Sequence, residues 1–145
     1  MIRVLVQRED FDTGTELAAL QTADVGAVAS FTGIVRGTGG LQSMLLEHYP
    51  GMTEVALETL AGEAQSKWPV SGITIIHRVG CLCPGDRIVF VGTASAHRAA
   101  ALDACAFLID TLKTQAPFWK KETFTDGRAQ WVDARDGDVA ASARW

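Results

Sequence analysis

Between Arg98 and Lys113 the chain reads AAALDACAFLIDTL, and only Asp103 and Asp110 bring charge into it. Ala96 to Thr114 is predicted as one helix, apolar almost all round, and such a helix is buried. Pro117 lies just past its end, where a helix cannot continue. A buried helix needs cover, and the rest of the sequence supplies strands and a second helix.

Ile2 to Val6 reads as a first strand, and Thr15 to Thr22 as a short helix. Val25, Ala27, Ala29, Phe31, Gly33 and Val35 fall at period two, so Val25 to Val35 is a largely buried strand. It ends at Arg36, and Gly37-Thr38-Gly39-Gly40 has loop composition. Leu41 to Tyr49 resumes as a strand, a hairpin-like pair across that loop. Thr53 to Trp68 is amphipathic, with Leu57, Leu60, Ala61, Ala64 and Trp68 on one face. Gly72 to Val79 and Arg87 to Thr93 are β-branched strands around the turn Cys83-Pro84-Gly85-Asp86. Short strands follow near Phe118–Phe124 and Gln130–Ala134, and a polar tail runs to Trp145. The class is α+β, or mixed α/β, and 145 residues predict a single domain over 1–145.

The chain holds 13 Lys+Arg against 17 Asp+Glu, a net charge of −4, which argues against a nucleic-acid binder relying on bulk charge. The first residues, MIRVLVQREDF, turn charged too soon for an export signal. No apolar run approaches the roughly 18 residues of a membrane span. Three cysteines, Cys81, Cys83 and Cys105, suit a reducing compartment. Together these predict a cytoplasmic protein. Cys81 and Cys83 are not spaced as a zinc pair, and His48 and His77 fall inside strand patterns, so all four read as structural, with no metal or cofactor.

Against the acidic balance, three of the four lysines cluster in TLKTQAPFWKKE: Lys113, Lys120 and Lys121. Lys113 falls about 20° around the helix from Leu102, in line with Ala106 and Ile109, on a face expected to be core. One reading is a lysine snorkelling from the last turn. The other is a lysine aimed into a cleft, its pKa lowered by partial burial and a second cation. Lys120 and Lys121 would point to opposite faces of a strand, one into that cleft and one to solvent, or both belong to a solvated edge. His97 and Arg98 open the long helix, where the dipole disfavours cations unless an anion is bound. An arginine folded back onto a carboxylate is the alternative. Arg36 and its glycine-rich loop fit either a flap over an anionic ligand or a plain hairpin. Gathered together, Arg36, His97, Arg98, Lys113 and Lys120 would make a cationic pocket for a phosphate or a carboxylate.

The stretches FTGIVR, LEHYPGMTE, IHRVG, PGD, VFVGTASAHR and LKTQAPFWKKE, with the closing RW, resemble the MoaE family, the catalytic subunits of molybdopterin synthase. The likeness runs from about Val25 to Trp145. It implies an α/β hammerhead-like fold with an additional antiparallel β-sheet. It also implies the conversion of cyclic pyranopterin monophosphate to molybdopterin. Two sulfurs would come from the C-terminal Gly-Gly thiocarboxylate of a ubiquitin-like small subunit, in a heterotetramer built on a homodimer. By the same resemblance Lys113 and Lys120 are catalytic. Ile34, Val35, Arg36, His97, Arg98, Lys121 and Glu122 line the substrate site, and Arg135 reaches a neighbouring copy's site. Where some relatives carry a lysine within FTGxVR, this chain has Ile34. A module that only grips the Gly-Gly tail is the competing reading. A small RNA-binding domain is disfavoured by the acidic balance.

The sulfur is expected to ride on the partner, so replacing Cys81 and Cys83 with Ala should leave turnover largely intact. Loss of product by a variant as stable as the parent would overturn this.

Overall fold

A computed structural model describes residues 1–132 and 136–145. The elements run β1 (Ile2–Gln7), α1 (Thr13–Leu20), β2 (Ala27–Ile34), β3 (Leu41–His48), α2 (Met52–Lys67) and β4 (Val70–Arg78). They continue with β5 (Gly80–Leu82), β6 (Arg87–Ser95), α3 (Arg98–Gln115), β7 (Phe118–Phe124), β8 (Ala129–Val132) and α4 (Asp136–Ala143). One sheet has the order β1-β4-β6-β2, the other β5-β3-β7-β8. In the first, β1 runs parallel to β4 and the other pairings are antiparallel. The second is antiparallel throughout. The fold is α+β with an additional antiparallel sheet.

Local chemistry sets the helix starts. The Asp12 side chain accepts from the Gly14 and Thr15 N–H groups and so caps α1. Gly51, at φ +86°, lets the chain turn from β3 into α2, and its N–H donates to Glu54 Oε2 at 3.2 Å. Thr53 is fully buried beside it; it accepts the Tyr49 N–H and donates to the Pro117 carbonyl, both at 3.0 Å. That hydroxyl ties the start of α2 to the link between α3 and β7.

The main core lies between the first sheet and helices α2 and α3. Ile73, Ile75, Val89 and Val91 of the sheet pack on Leu57, Leu60, Ala61 and Ala64 of α2 and Leu108 and Leu112 of α3. Each large aliphatic side chain buried here contributes roughly 1.5–3 kcal/mol. On the sheet's other face, Ile76 and Phe90 meet Phe11, with Leu17 of α1 against them. A smaller core of Val35, Leu41, Met44, Leu46 and Leu82 backs the second sheet, and Ile88 packs against both cores.

Four expectations change. β2 and β3 do not pair as a hairpin; they belong to different sheets, and residues 35–40 cross between them. Helix α3 is not buried all round. Its buried stripe is Ala101, Ala104, Cys105, Leu108 and Leu112, whereas Leu102 is 59% exposed. Alanine is a good helix former on either face, so its abundance here hid which side was core. The three-residue strand β5 was too short to show periodicity. The C-terminal tail forms α4, and Trp145 docks between Trp68 and Phe107, with its indole N–H donating to Asp110 at 2.7 Å.

Gly26 precedes β2, and its N–H donates to the Ser95 carbonyl at 3.0 Å. A Cβ there would stand 2.3 Å from the Ala96 carbonyl oxygen, a backbone atom just ahead of α3. Gly26→Ala is therefore expected to destabilise by about 1–3 kcal/mol, through a forced backbone shift. Urea denaturation of the variant against the parent checks it.

Candidate functional site

A cavity of about 190 Å³ lies between the C-terminal end of α3 and the inner face of the second sheet. Its position follows from how α3 stops. Pro117 cannot extend the helix, the Ala116 N–H still donates to the Leu112 carbonyl at 3.3 Å, and β7 begins at once with Phe118. Strand alternation then puts Phe118, Lys120 and Glu122 on one face, opposite His48, Leu46 and Met44 of β3. Met44, Leu46, Phe118 and Lys120 line the cavity from this side. Leu112, Lys113 and Thr114 line it from α3, His77 from β4 and Asp138 from α4. Lys113 is exposed and Lys120 half-buried.

His77 stands in the wall, 5% exposed. Its ring stacks on Phe118, with centroids 3.8 Å apart and planes 19° from parallel. Nδ1 lies 2.8 Å from the Arg78 carbonyl oxygen, which can only accept, so Nδ1 carries the hydrogen and Nε2 the lone pair. Burial lowers the His77 pKa from 6.5 to about 4; the bond to Arg78 opposes this, and the charges of Lys113, His48 and Lys120 add to it. The imidazole is therefore neutral at neutral pH. His48, opposite Phe118 in the ladder, has Nε2 4.0 Å from Glu54 Oε1.

The remaining predicted residues disperse. Lys121 points to the sheet's other face, 5.9 Å from the centroid of the Trp131 ring, so it does not share the cavity with Lys120. Glu122 is on Lys120's face, opposite Met44, and outside the cavity lining. Val35 is buried against Met44 and Leu46, beneath the cavity, and Arg36 emerges exposed after it. Ile34, 50% exposed, instead borders a second hollow with Asp10, Asp86 and Arg87. His97 is the N-cap of α3 without a side-chain capping bond, and no acidic residue lies in the first turn. With Arg98 exposed beside it, this helix end suits an anion. Arg135 lies outside the described residues.

One chain does not bring all five predicted cations together. Arg98 and Lys113 sit near opposite ends of α3, roughly 22 Å apart. Ala27 pairs with Ser95 and Ile34 with Arg87, so Arg36 and His97 project from opposite ends of that ladder, roughly 25 Å apart. His77, Thr114 and Asp138 went unrecognised in the sequence. His77 ends the run ITIIH, and a histidine closing an apolar strand was the available signal. Asp138 gave none, because α4 itself was unforeseen. Among the described residues, no three His, Cys, Asp or Glu side chains gather as a metal site.

A family model described as "MoaE protein" matches residues 6–115. A molybdopterin synthase catalytic subunit from Mesorhizobium japonicum is 52% identical over 146 residues, covering 98% of this chain and 92% of that protein. The solved molybdopterin biosynthesis MoaE protein from Burkholderia ambifaria is 52% identical with a TM-score of 0.87, covering 100% of this chain and 98% of that one. Molybdopterin synthase from Staphylococcus aureus is 32% identical with a TM-score of 0.82, over 89% of this chain and 96% of that one.

The neutral His77 makes stability pH-dependent. The unfolded chain takes up this proton below pH 6.5, whereas the folded chain does so only near pH 4. Stability is therefore full above pH 6.5 and falls as pH drops toward 4, by on the order of 3 kcal/mol from this group. Asp10, lowered from 3.8 to about 2 mainly by its bond to Arg87, acts only at more acid pH. Urea denaturation between pH 7 and 4 should show the fall, and His77→Phe, which keeps a ring against Phe118, should flatten it. An unchanged slope in the variant would assign the loss elsewhere.

Proposed function

The chain belongs to the MoaE family, and on that premise we propose that it is the catalytic subunit of a molybdopterin synthase. It inserts two sulfurs from a thiocarboxylated small subunit into cyclic pyranopterin monophosphate, forming the dithiolene of molybdopterin. The observation that carries the reading is the pairing of Lys113 and Lys120 in one aromatic-walled cavity. The family resemblance had marked those same two lysines as catalytic.

The chemistry asks for attack by the thiocarboxylate sulfur on the pterin side chain, departure of an oxygen as water with a delivered proton, and hydrolysis of the acyl–sulfur bond, which leaves the sulfur on the pterin and the small subunit's tail as a carboxylate. A lysine ammonium beside the substrate supplies the proton, and the amine left behind takes one back. Lys113 takes this role, and Lys120, across the cavity, orients the substrate and attracts the anionic thiocarboxylate. Phe118 walls the approach of the Gly-Gly tail, whereas Trp119, which alternates to the sheet's other face, does not.

His97 and Arg98 suit the substrate's phosphate, yet in one chain they lie a helix length from the lysines. We propose that a second copy supplies them, which makes the site a property of a homodimer. With a small subunit on each copy the assembly is a heterotetramer. The reading places it in the cytoplasm, where free Cys81 and Cys83 stay reduced.

Reconstitution with the thiocarboxylated small subunit and cyclic pyranopterin monophosphate tests the assignment. The parent should form molybdopterin, and a folded Lys113→Ala variant should lose roughly 10²–10⁴ of the rate. Product from both would leave Lys113 a structural role. Small-subunit binding without product would favour a module that only holds the tail. For the shared site, chains carrying Lys113→Ala and Arg98→Ala, each inactive alone, should on co-assembly recover about a quarter of parental activity. No recovery would place the whole site in one chain.

A further inference from the structure

His77 lines the lysine cavity, yet the reaction as proposed makes no use of it. It is more than nine-tenths buried. Its Nδ1–H is committed to the Arg78 carbonyl at 2.8 Å. Among the described residues Nε2 has no hydrogen-bond partner. Among the described residues Glu54 Oε1 is the one sealed side-chain atom without a partner; Nε2 is not sealed, and it opens to the cavity. A buried polar atom without a partner is uncommon and costs stability unless something completes it. Phe118 covers one face of the ring, so what remains for a ligand is the ring's edge.

We infer that His77 Nε2 is a hydrogen-bond acceptor for the bound substrate, taking an O–H or N–H of the pterin while Lys113 and Lys120 take its anionic groups. This rests on the catalytic reading above and adds a specificity residue to it. The tautomer decides the direction. With Nδ1 protonated and the ring neutral, Nε2 offers only a lone pair. It repels a phosphate or carboxylate oxygen and favours a donor. The nearby charges hold the imidazole in that state: Lys113 on α3, Lys120 on β7 and His48 on β3 all oppose a further positive charge. Asp138 on α4 lines the same cavity with a negative charge. The cavity thus has a cationic side and an accepting edge, and a ligand carrying both an anion and a donor fits in one orientation. Because the ring is held neutral, His77 positions the substrate and is a poor proton carrier.

The test uses the complex with the small subunit in its carboxylate form, so that substrate binds without turnover. With ¹⁵N-labelled histidine, cyclic pyranopterin monophosphate should move the His77 Nε2 resonance and leave Nδ1 protonated. Inorganic phosphate alone should leave Nε2 unmoved. In the thiocarboxylated complex, His77→Phe should raise KM roughly 10-fold with kcat less affected, and His77→Gln, which restores an acceptor oxygen, should recover part of it. A parent that turns over while Nε2 stays unmoved by substrate overturns the inference and leaves the function standing. So does movement by phosphate alone, or an unchanged KM in a folded His77→Phe. A parent that forms no product overturns the catalytic reading and this inference with it.

Discussion

The stacking of Phe118 on His77 holds the candidate site together. His77 belongs to a central strand of the first sheet and Phe118 to the strand that carries Lys120 in the second. The second sheet's own core is small, five buried side chains from Val35 to Leu82, and it leans on the first through Ile88 and this ring contact. The Thr53 hydroxyl secures the same place from behind, through the carbonyl of Pro117, the residue before Phe118. Two lysines on different elements thereby share one small space.

An acidic chain carries a basic site by separating the two in space. Several of its arginines are matched: Arg3 by Glu16, Arg87 by Asp10, Arg128 by Asp126 and Arg144 by Asp110. Exposed pairs of this kind contribute little stability, but they cancel local field. The lysine cavity instead has a neutral imidazole where a third cation would stand. Taking that ring out of water costs the charged form more than the neutral one, so burial, reinforced by the nearby cations, removes the competing charge. In the proposed site, anion attraction is thereby assigned to Lys113 and Lys120, and the neutral ring to a different part of the ligand.

Much of this was legible in sequence because strands and capped helices announce themselves locally. The strands of the first sheet were readable from β-branched runs, and β7 was placed to the residue. Lys113 stands out as a charge on a helix face expected to be core, and Lys120 by its place in a lysine cluster of an acidic chain. What failed were statements about which element meets which. The loop after Arg36 reads equally as a hairpin or as a crossing between sheets, because its glycines permit both paths. Leu102, Ala106, Ile109 and Lys113 do share one side of the helix, but it is the outer side, with Leu102 and Lys113 exposed. α4 went unseen because DGDVAASA is a weak helix on its own. Its place depends on α3, through the Thr114–Ser142 hydroxyl contact at 3.0 Å and the docking of Trp145. His77 was hidden by its company, since a histidine inside an apolar strand is ordinarily a satisfied core residue.

Helix α3 carries the anion-suited pair at its first turn and Lys113 in its last, and this gives its length a meaning that its sequence lacks. Many side chains of similar size can fill the stripe from Ala101 to Leu112. One residue added or removed between Arg98 and Lys113 turns the lysine about 100° around the axis and shifts it by about 1.5 Å, with both helix ends otherwise intact. Diverging copies of this gene are thus free to substitute along α3 but not to insert or delete there. Length change is confined to places such as Gly39–Gly40, where the backbone already takes positive φ. In an alignment of descendants, α3 would appear as an ungapped block of variable letters bounded by fixed cations.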